Sequence, residues 1–438
     1  MTKIYIYGLT LLIILALASC NASSDAPIDE TFVSETVTAA EDGSTSADLA
    51  TGENVLLNGD DHQLILWSPE TLSPTADTPT GRMLEPIIAQ FGQIHPDVFL
   101  QIDVKAESGE TNILRYLRSA QQNAPSILPD IAVLDTQQLW QLVDLGLVQP
   151  LGDDELGYLG DMYPVAVDAV TYQEVSYGLP YAMDLMHLAY DKNSVERLPE
   201  SWQDLLDAQA AYLLEVGLFP EEGYSPLSKT SMLLLYLGAG GMLTESGTAE
   251  NADALESVVE FLAQGQEEGV IVRPTEDRPL IESIWSALST GDFAYANISA
   301  RSYLDHYEIF DNIGFGTVPM QSGSPQTVAR VWAFAILTND PEQRALALDF
   351  IQLLLDPNVQ GTWGQFAHCL PSQRQAFETW LNGNEYYEFL YNEIDSAVAL
   401  PNGPRFVEFS QRIQEAQHAL LNGDVTPQEA LQKMRSVP

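Results

Sequence analysis

Six histidines, two cysteines and 62 carboxylates are the groups with which this chain of 438 residues could do acid–base, nucleophilic or metal chemistry. The histidines are His62, His95, His187, His306, His368 and His418. None falls in an H-E-x-x-H or other zinc spacing. No G-x-S-x-G turn and no phosphate-cradling glycine loop occurs. With so many acids, carboxylate pairs arise by chance, so pairing alone does not mark a glycosidase. No metal, no cofactor and no catalysis are expected, and a secreted glycosidase is the least favoured alternative. What remains is recognition. Trp67 and Asp135 each stand just after a predicted strand. An indole offers a flat apolar face to a sugar ring, and a carboxylate accepts from hydroxyls or pairs a cation. Their plainer roles are core packing for Trp67 and a helix N-cap for Asp135, since a helical run starts at Gln137.

The elements that must position these two side chains are readable. Leu64-Ile65-Leu66-Trp67 is a short buried-strand run, Val98–Val104 alternates as a second strand, and Asp130–Leu134 is a third. Helical faces lie between and after them at Arg82–His95, Thr111–Asn123 and Gln137–Leu145. Strands alternating with helices imply a mostly parallel sheet covered on both faces, with ligands beyond the carboxyl ends of its strands. Trp202 to about Ala287 is helix-rich. Strands return at Phe315–Val318 and Val331–Leu337, then helices to the C-terminus.

The formal charge of −44 comes from 18 bases and 62 acids, and residues 62–438 alone carry −35. Such a surface repels phosphate backbones and excludes a nucleic-acid partner. The first 20 residues have another character. After Lys3 comes the apolar run Ile4–Ala18, 15 residues long, short of the roughly 20 that span a bilayer. It reads as a secretory signal, and its end, Leu17-Ala18-Ser19-Cys20, resembles a bacterial lipobox. That resemblance implies cleavage after residue 19 and a lipidated Cys20 facing outward from a cell membrane. Residues 21–61 hold ten acids and no base. They cannot bury enough surface to fold and read as a tether reaching about 35 Å.

From residue 62 the chain resembles an extracellular solute-binding protein of the ABC-importer type, in the class that includes sugar binders. The residues that carry the resemblance come in order: Trp67, Ile94-His95-Pro96-Asp97-Val98, Leu128-Pro129-Asp130-Ile131, Gly146–Leu151, Tyr177-Gly178-Leu179-Pro180-Tyr181, Leu188–Lys192, Pro199-Glu200-Ser201-Trp202, Gly240-Gly241, Gly291-Asp292-Phe293-Ala294 and Gly423–Leu431. The resemblance implies an α/β, two-lobed periplasmic-binding-protein-like fold of type II. Its first lobe would be 62–182 with 335–358 and its second 188–330 with 359–438. Three crossings would fall near Met183–His187, Arg330–Phe334 and Pro357–Thr362. A small solute, a carbohydrate by preference, would be held between the lobes and passed by a monomer to the transmembrane subunits of an ABC permease. The alternatives are an anionic or non-sugar solute, or a lipid-anchored sensor or adhesion module. Tyr181 and Asp184 on the first crossing, Arg330 and Trp332 on the second, and Asn297 and Arg301 in a contact loop join Trp67 and Asp135 as candidate ligand contacts. Arg301 stands where sugar binders of this class often carry tryptophan. If Arg301 and Arg330 both face the cleft, an acidic sugar fits; otherwise they pair with local acids.

Overall fold

The computed structural model of the chain describes residues 62–107, 109, 111–213, 233–242, 251–272, 281–321, 326–400 and 404–435. The expected leader, Cys20 and tether lie outside them, as does the start of the expected helix at 229–237.

Three strands form where the apolar runs require them: β1 (His62–Pro69), β2 (Val98–Lys105) and β3 (Ile131–Asp135). β1 lies between the other two and parallel to both, with Leu66 opposite Ile102 on one side and Ile131 on the other. Every residue of β3 is buried, as a parallel strand covered on both faces must be. Asp135 ends β3 and starts the helix Thr136–Asp144, its carboxylate accepting from Gln137 N at 2.7 Å.

Beyond β3 the sheet is mixed: Tyr212–Leu213 pairs in parallel with Ile271–Val272 and with Tyr295–Ala296, and Ala397–Ala399 in parallel with Thr327–Ala329, while the longer strands pair antiparallel. The remaining main strands are β4 (Leu179–Asp191), β5 (Tyr295–Ser299), β6 (Ile313–Gly316), β7 (Thr327–Ile336) and β8 (Leu370–Pro371). β7 returns from the second lobe and enters the first sheet from the opposite end. It therefore runs antiparallel both to β3, with Trp332 opposite Asp135, and to β4, with Ala329 opposite Leu185. β4 is the longest strand. Its first part pairs β7 and β8, and its second part, from Met186, pairs β5 and β6. β4 thus has partners along both of its halves, and β7 runs beside the first of them. In the second lobe, Ser201 and Asp204 form a reciprocal cap on the helix Trp202–Ala208. Trp202 stacks on Phe261 at 4.5 Å between ring centroids, a packing role.

The helices Pro341–Leu354 and Pro357–Ala367 each start at an aspartate followed by proline. Trp363 of the second stacks on Tyr181 of β4 at 4.6 Å, and Tyr181 in turn meets Phe334 of β7 at 4.5 Å. This helix therefore packs with the first lobe. After this helix the chain pairs β4 at β8, where Leu370 and Pro371 lie opposite Met183 and Ala182. Gly361 lets the next segment close in. A Cβ there would lie 2.5 Å from Ala376 O, and the indole of Trp380 donates to Gly361 O at 2.7 Å.

One carboxyl is buried with an oxygen lacking any partner. Glu393 ends the helix Glu385–Glu393, is 5% exposed, and its Oε1 accepts no hydrogen bond. Burial pushes its pKa from 4.5 up to about 7. The folded state then holds a proton that the unfolded chain releases near 4.5. Stability from this site is complete in acid and is lost as pH rises through about 7. Glu393→Gln should therefore stabilise the protein by about 2 kcal/mol at pH 8, raising the melting temperature by a few degrees. Most of the gain should vanish at pH 5. An equal gain at both pH values would show that the carboxyl is not its source.

Candidate functional site

The carboxyl ends of β2 and β3 and the crossing strands β4 and β7 bring charged side chains together. Arg330 lies on β7 directly opposite Asp184 of β4, and its neighbour but one, Trp332, lies opposite Asp135. Arg330 and Trp332 share a strand face because side chains alternate. The guanidinium carbon sits 4.3 Å from the Trp332 ring centroid. Arg330 Nε donates to Asp135 Oδ2 at 2.5 Å, and Nη2 donates to Glu107 Oε1 at 2.8 Å. The Trp332 indole N–H donates to the same Glu107 oxygen at 3.1 Å. Burial works against the charge on Arg330, but Asp135 and Glu107 more than restore it, and its pKa is raised. Asp135 thus fills two roles at once, as N-cap and as ion-pair partner.

Asp184 is buried and 6% exposed. Its Oδ1 accepts from Leu185 N at 2.9 Å and Arg301 N at 3.0 Å, and the carboxylate also takes a hydrogen bond from the Ser299 side chain. Burial nonetheless raises its pKa, outweighing these donors. Ser299 and Arg301 flank the start of the helix Ala300–His306, where the Ser299 hydroxyl caps Ser302 N at 3.2 Å. The crossing strand therefore docks this helix start through one carboxylate. The Arg301 side chain is half-buried, and its guanidinium makes no hydrogen bond or ion pair among the described residues. Nearby, His368 Nδ1 meets Asp305 Oδ1 at 2.5 Å.

The other candidates lie apart from this cluster. Trp67 is 4% exposed and packs with Ile113, Leu117, Ala132 and Leu134. Lys105 Nζ stands 4.4 Å above its ring, Tyr116 meets its edge, and its indole N–H has no partner. Tyr181 is sandwiched between Trp363 and Phe334, and its hydroxyl is unpartnered. Asn297 on β5 accepts from the Tyr212 hydroxyl at 2.8 Å, and its amide nitrogen has no partner. Glu107 was not among the candidates. It lies two residues beyond β2 as Asp135 ends β3, so the strand-end rule applied to β2 would have found it; Trp67, expected just after β1, lies inside it, because the strand runs on to Pro69.

The set Asp135–Arg330–Glu107, with Asp184 and Arg301 beside it, has donors and acceptors in one place, and the Trp332 ring beneath Arg330 is buried, 1% exposed. It has no nucleophile–base pair. The arrangement suits reversible binding of a polar solute.

Comparison with known proteins agrees. A family model described as bacterial extracellular solute-binding protein matches residues 87–381. Among solved structures, the cyclic alpha-maltosyl-1,6-maltose binding protein of Arthrobacter globiformis superposes with a TM-score of 0.69 at 18% identity, covering 85% of this chain and 97% of its own. The sugar-binding protein MalE of Xanthomonas citri gives 0.69 at 14% identity, covering 85% and 95%. The maltose-binding protein MalE of Listeria monocytogenes, solved with maltose, gives 0.67 at 16%, covering 86% and 96%. These likenesses show a two-lobed, periplasmic-binding-protein-like α/β fold.

The ion pair should be strongly coupled. Arg330→Met leaves Asp135 buried without its partner and should cost about 3 kcal/mol in urea unfolding. Asp135→Asn keeps an N-cap acceptor and removes the charge of the same pair. The double change should cost less than the sum of the two by about 1–3 kcal/mol. Strictly additive losses would show that the pair contributes no coupling.

Proposed function

The chain belongs to the bacterial extracellular solute-binding proteins, and from that premise we propose that it captures a carbohydrate between its lobes and delivers it to an ABC permease. The observation that supports this reading most is the polar and aromatic cluster on β4 and β7, the strands that pass from one lobe to the other. A ligand contacting Asp135 or Glu107 on one side and the Ser299–Arg301 turn on the other gains both sets of contacts only when the lobes close. Ligand then shifts the balance towards the closed form by its differential affinity. Carbohydrate chemistry suits the set: carboxylates and guanidinium groups exchange hydrogen bonds with hydroxyls, and indole covers the apolar face of a sugar ring. The protein acts as a monomer, binds without altering its ligand, and needs no cofactor. Micromolar affinity, about −8 kcal/mol, is strong enough for capture and weak enough for release. A lipid on Cys20 holds it at an outward-facing membrane surface, and residues 21–61 give it reach.

Two measurements test this. Thermal-shift and calorimetric screening against mono- and oligosaccharides should find a saccharide that raises the melting temperature by several degrees and is recovered unchanged by mass spectrometry. Stabilisation by amino acids or polyamines with none by any saccharide would overturn the carbohydrate assignment, and consumption of the ligand would overturn the binder. Cys20→Ala should move the protein from the membrane fraction to the soluble fraction of cells. Retention at the membrane would remove the lipid anchor.

A further inference from the structure

Every cationic side chain around the cleft cluster except one has an acidic partner. Lys105 pairs Asp103 at 3.4 Å, Arg330 pairs Asp135 and Glu107, and His368 pairs Asp305. The exception is Arg301. Its guanidinium lies within electrostatic reach of Cys369, Asp184, Asp305 and Glu107, yet it hydrogen-bonds none of them. Each of these acceptors already has other partners. Asp184 is taken by two backbone N–H groups and the Ser299 side chain. Glu107 Oε1 is taken by Arg330 and Trp332. Asp305 Oδ1 is taken by His368. A half-buried guanidinium held by no acid among the described residues keeps its donors for solvent or for a ligand oxyanion. In a chain with 62 acids to 18 bases, leaving one base unpaired is a property of its place. Arg301 follows the end of β5, close to Asp184 on the crossing strand and facing the charge of Glu107 from the first lobe. That is the space the proposed ligand would enter.

We propose that Arg301 receives an oxyanion carried by the ligand, so that the solute is an acidic saccharide, with a carboxylate as in a uronic acid or a sulfate ester. The proposal builds on the carbohydrate reading above and narrows it. The planar fork of Arg301 matches two oxygens of one anion, while Glu107, Asp135 and the Trp332–Arg330 stack remain for the hydroxyls and the ring. A neutral hydroxyl would satisfy one donor and leave the rest unmet. The distant part of the overall charge of −44 is screened beyond about 8–10 Å in physiological salt, and of the nearer acids Glu107 and Asp135 are both paired with Arg330.

The test is calorimetry with matched pairs: galactose against galacturonic acid, α-1,4-galactotriose against trigalacturonic acid, and galactose against galactose 6-sulfate. The expected result is that a carboxylated or sulfated member binds at least tenfold tighter than its neutral counterpart. Arg301→Gln should then abolish that preference while keeping the melting temperature of the unliganded protein, and Arg301→Lys, with the charge but not the fork, should keep part of it. Tighter binding of the uronate assigns a carboxylate and tighter binding of the ester assigns a sulfate; either supports the proposal. Equal or tighter binding of the neutral sugars, or an acidic preference unchanged in Arg301→Gln, overturns it and leaves the carbohydrate reading standing. Binding by no saccharide of either kind removes both.

Discussion

The first lobe's site is organised by one guanidinium. Arg330 sits on a strand that passes between lobes, yet its donors are spent on carboxylates at the ends of β2 and β3. Such a charge is costly to desolvate, and it is tolerated here because Nε and Nη2 meet two acids and the flat face rests on an indole. The consequence is geometric. Three strands of the sheet, one of them a crossing strand, are tied at a single point, and the strand register slips just beyond it, between Trp332 and Ala333. The extra residue at that slip is Tyr181 of β4, while the pairing of β7 with β3 runs unbroken from Trp332 to Ile336.

The second lobe's contribution is fixed by the other crossing strand through a different device. Asp184 lies directly opposite Arg330 in the ladder, but its hydrogen bonds go to Leu185 N, Arg301 N and the Ser299 side chain. A carboxylate that accepts from backbone at the first residues of a helix works as a cap supplied from outside the helix. It keeps the Ser299–Arg301 turn at the crossing strand while the rest of the second lobe is built on β5 and β6. The two crossing strands thus divide the work. β7 collects the strand ends of the first lobe and β4 anchors the first turn of a helix from the second.

Much of this was legible in the sequence, and what was not has physical reasons. β1, β2 and β3 announce themselves by apolar runs, and Asp135 by its place between a strand and a helix. Arg330 and Trp332 share a face because they are two residues apart on a strand. β4 was harder, because Asp184 and His187 interrupt an otherwise apolar stretch that turns out to be buried along almost its whole length. The register slip also separates two residues read as neighbours. Tyr181 is the extra residue at the register slip of β4 and stacks on Trp363, whereas Asp184 lies in the regular ladder and meets Arg301 N. Glu107 was hidden among 62 acids and lies outside any periodic segment. The mostly parallel sheet was an extrapolation from local alternation, and the antiparallel β4 and β7 reflect long-range connectivity that no local pattern encodes.

The two tryptophans differ in how readily a ligand could use them. Each ring carries a cation on its face at nearly the same distance, 4.4 Å for Lys105 over Trp67 and 4.3 Å for Arg330 over Trp332. A cation–π contact of this kind contributes about 0.5–2 kcal/mol, comparable with what a stacked sugar could return. The anchoring decides the contest. The Lys105 ammonium is held by Asp103 at 3.4 Å, at the end of a flexible four-carbon stem, and can swing aside at small cost. Arg330 is held by two carboxylates and cannot leave without stranding both. A sugar seeking an indole face would therefore displace Lys105 from Trp67, whereas Trp332 would keep its guanidinium and act as the floor beneath the charged pair.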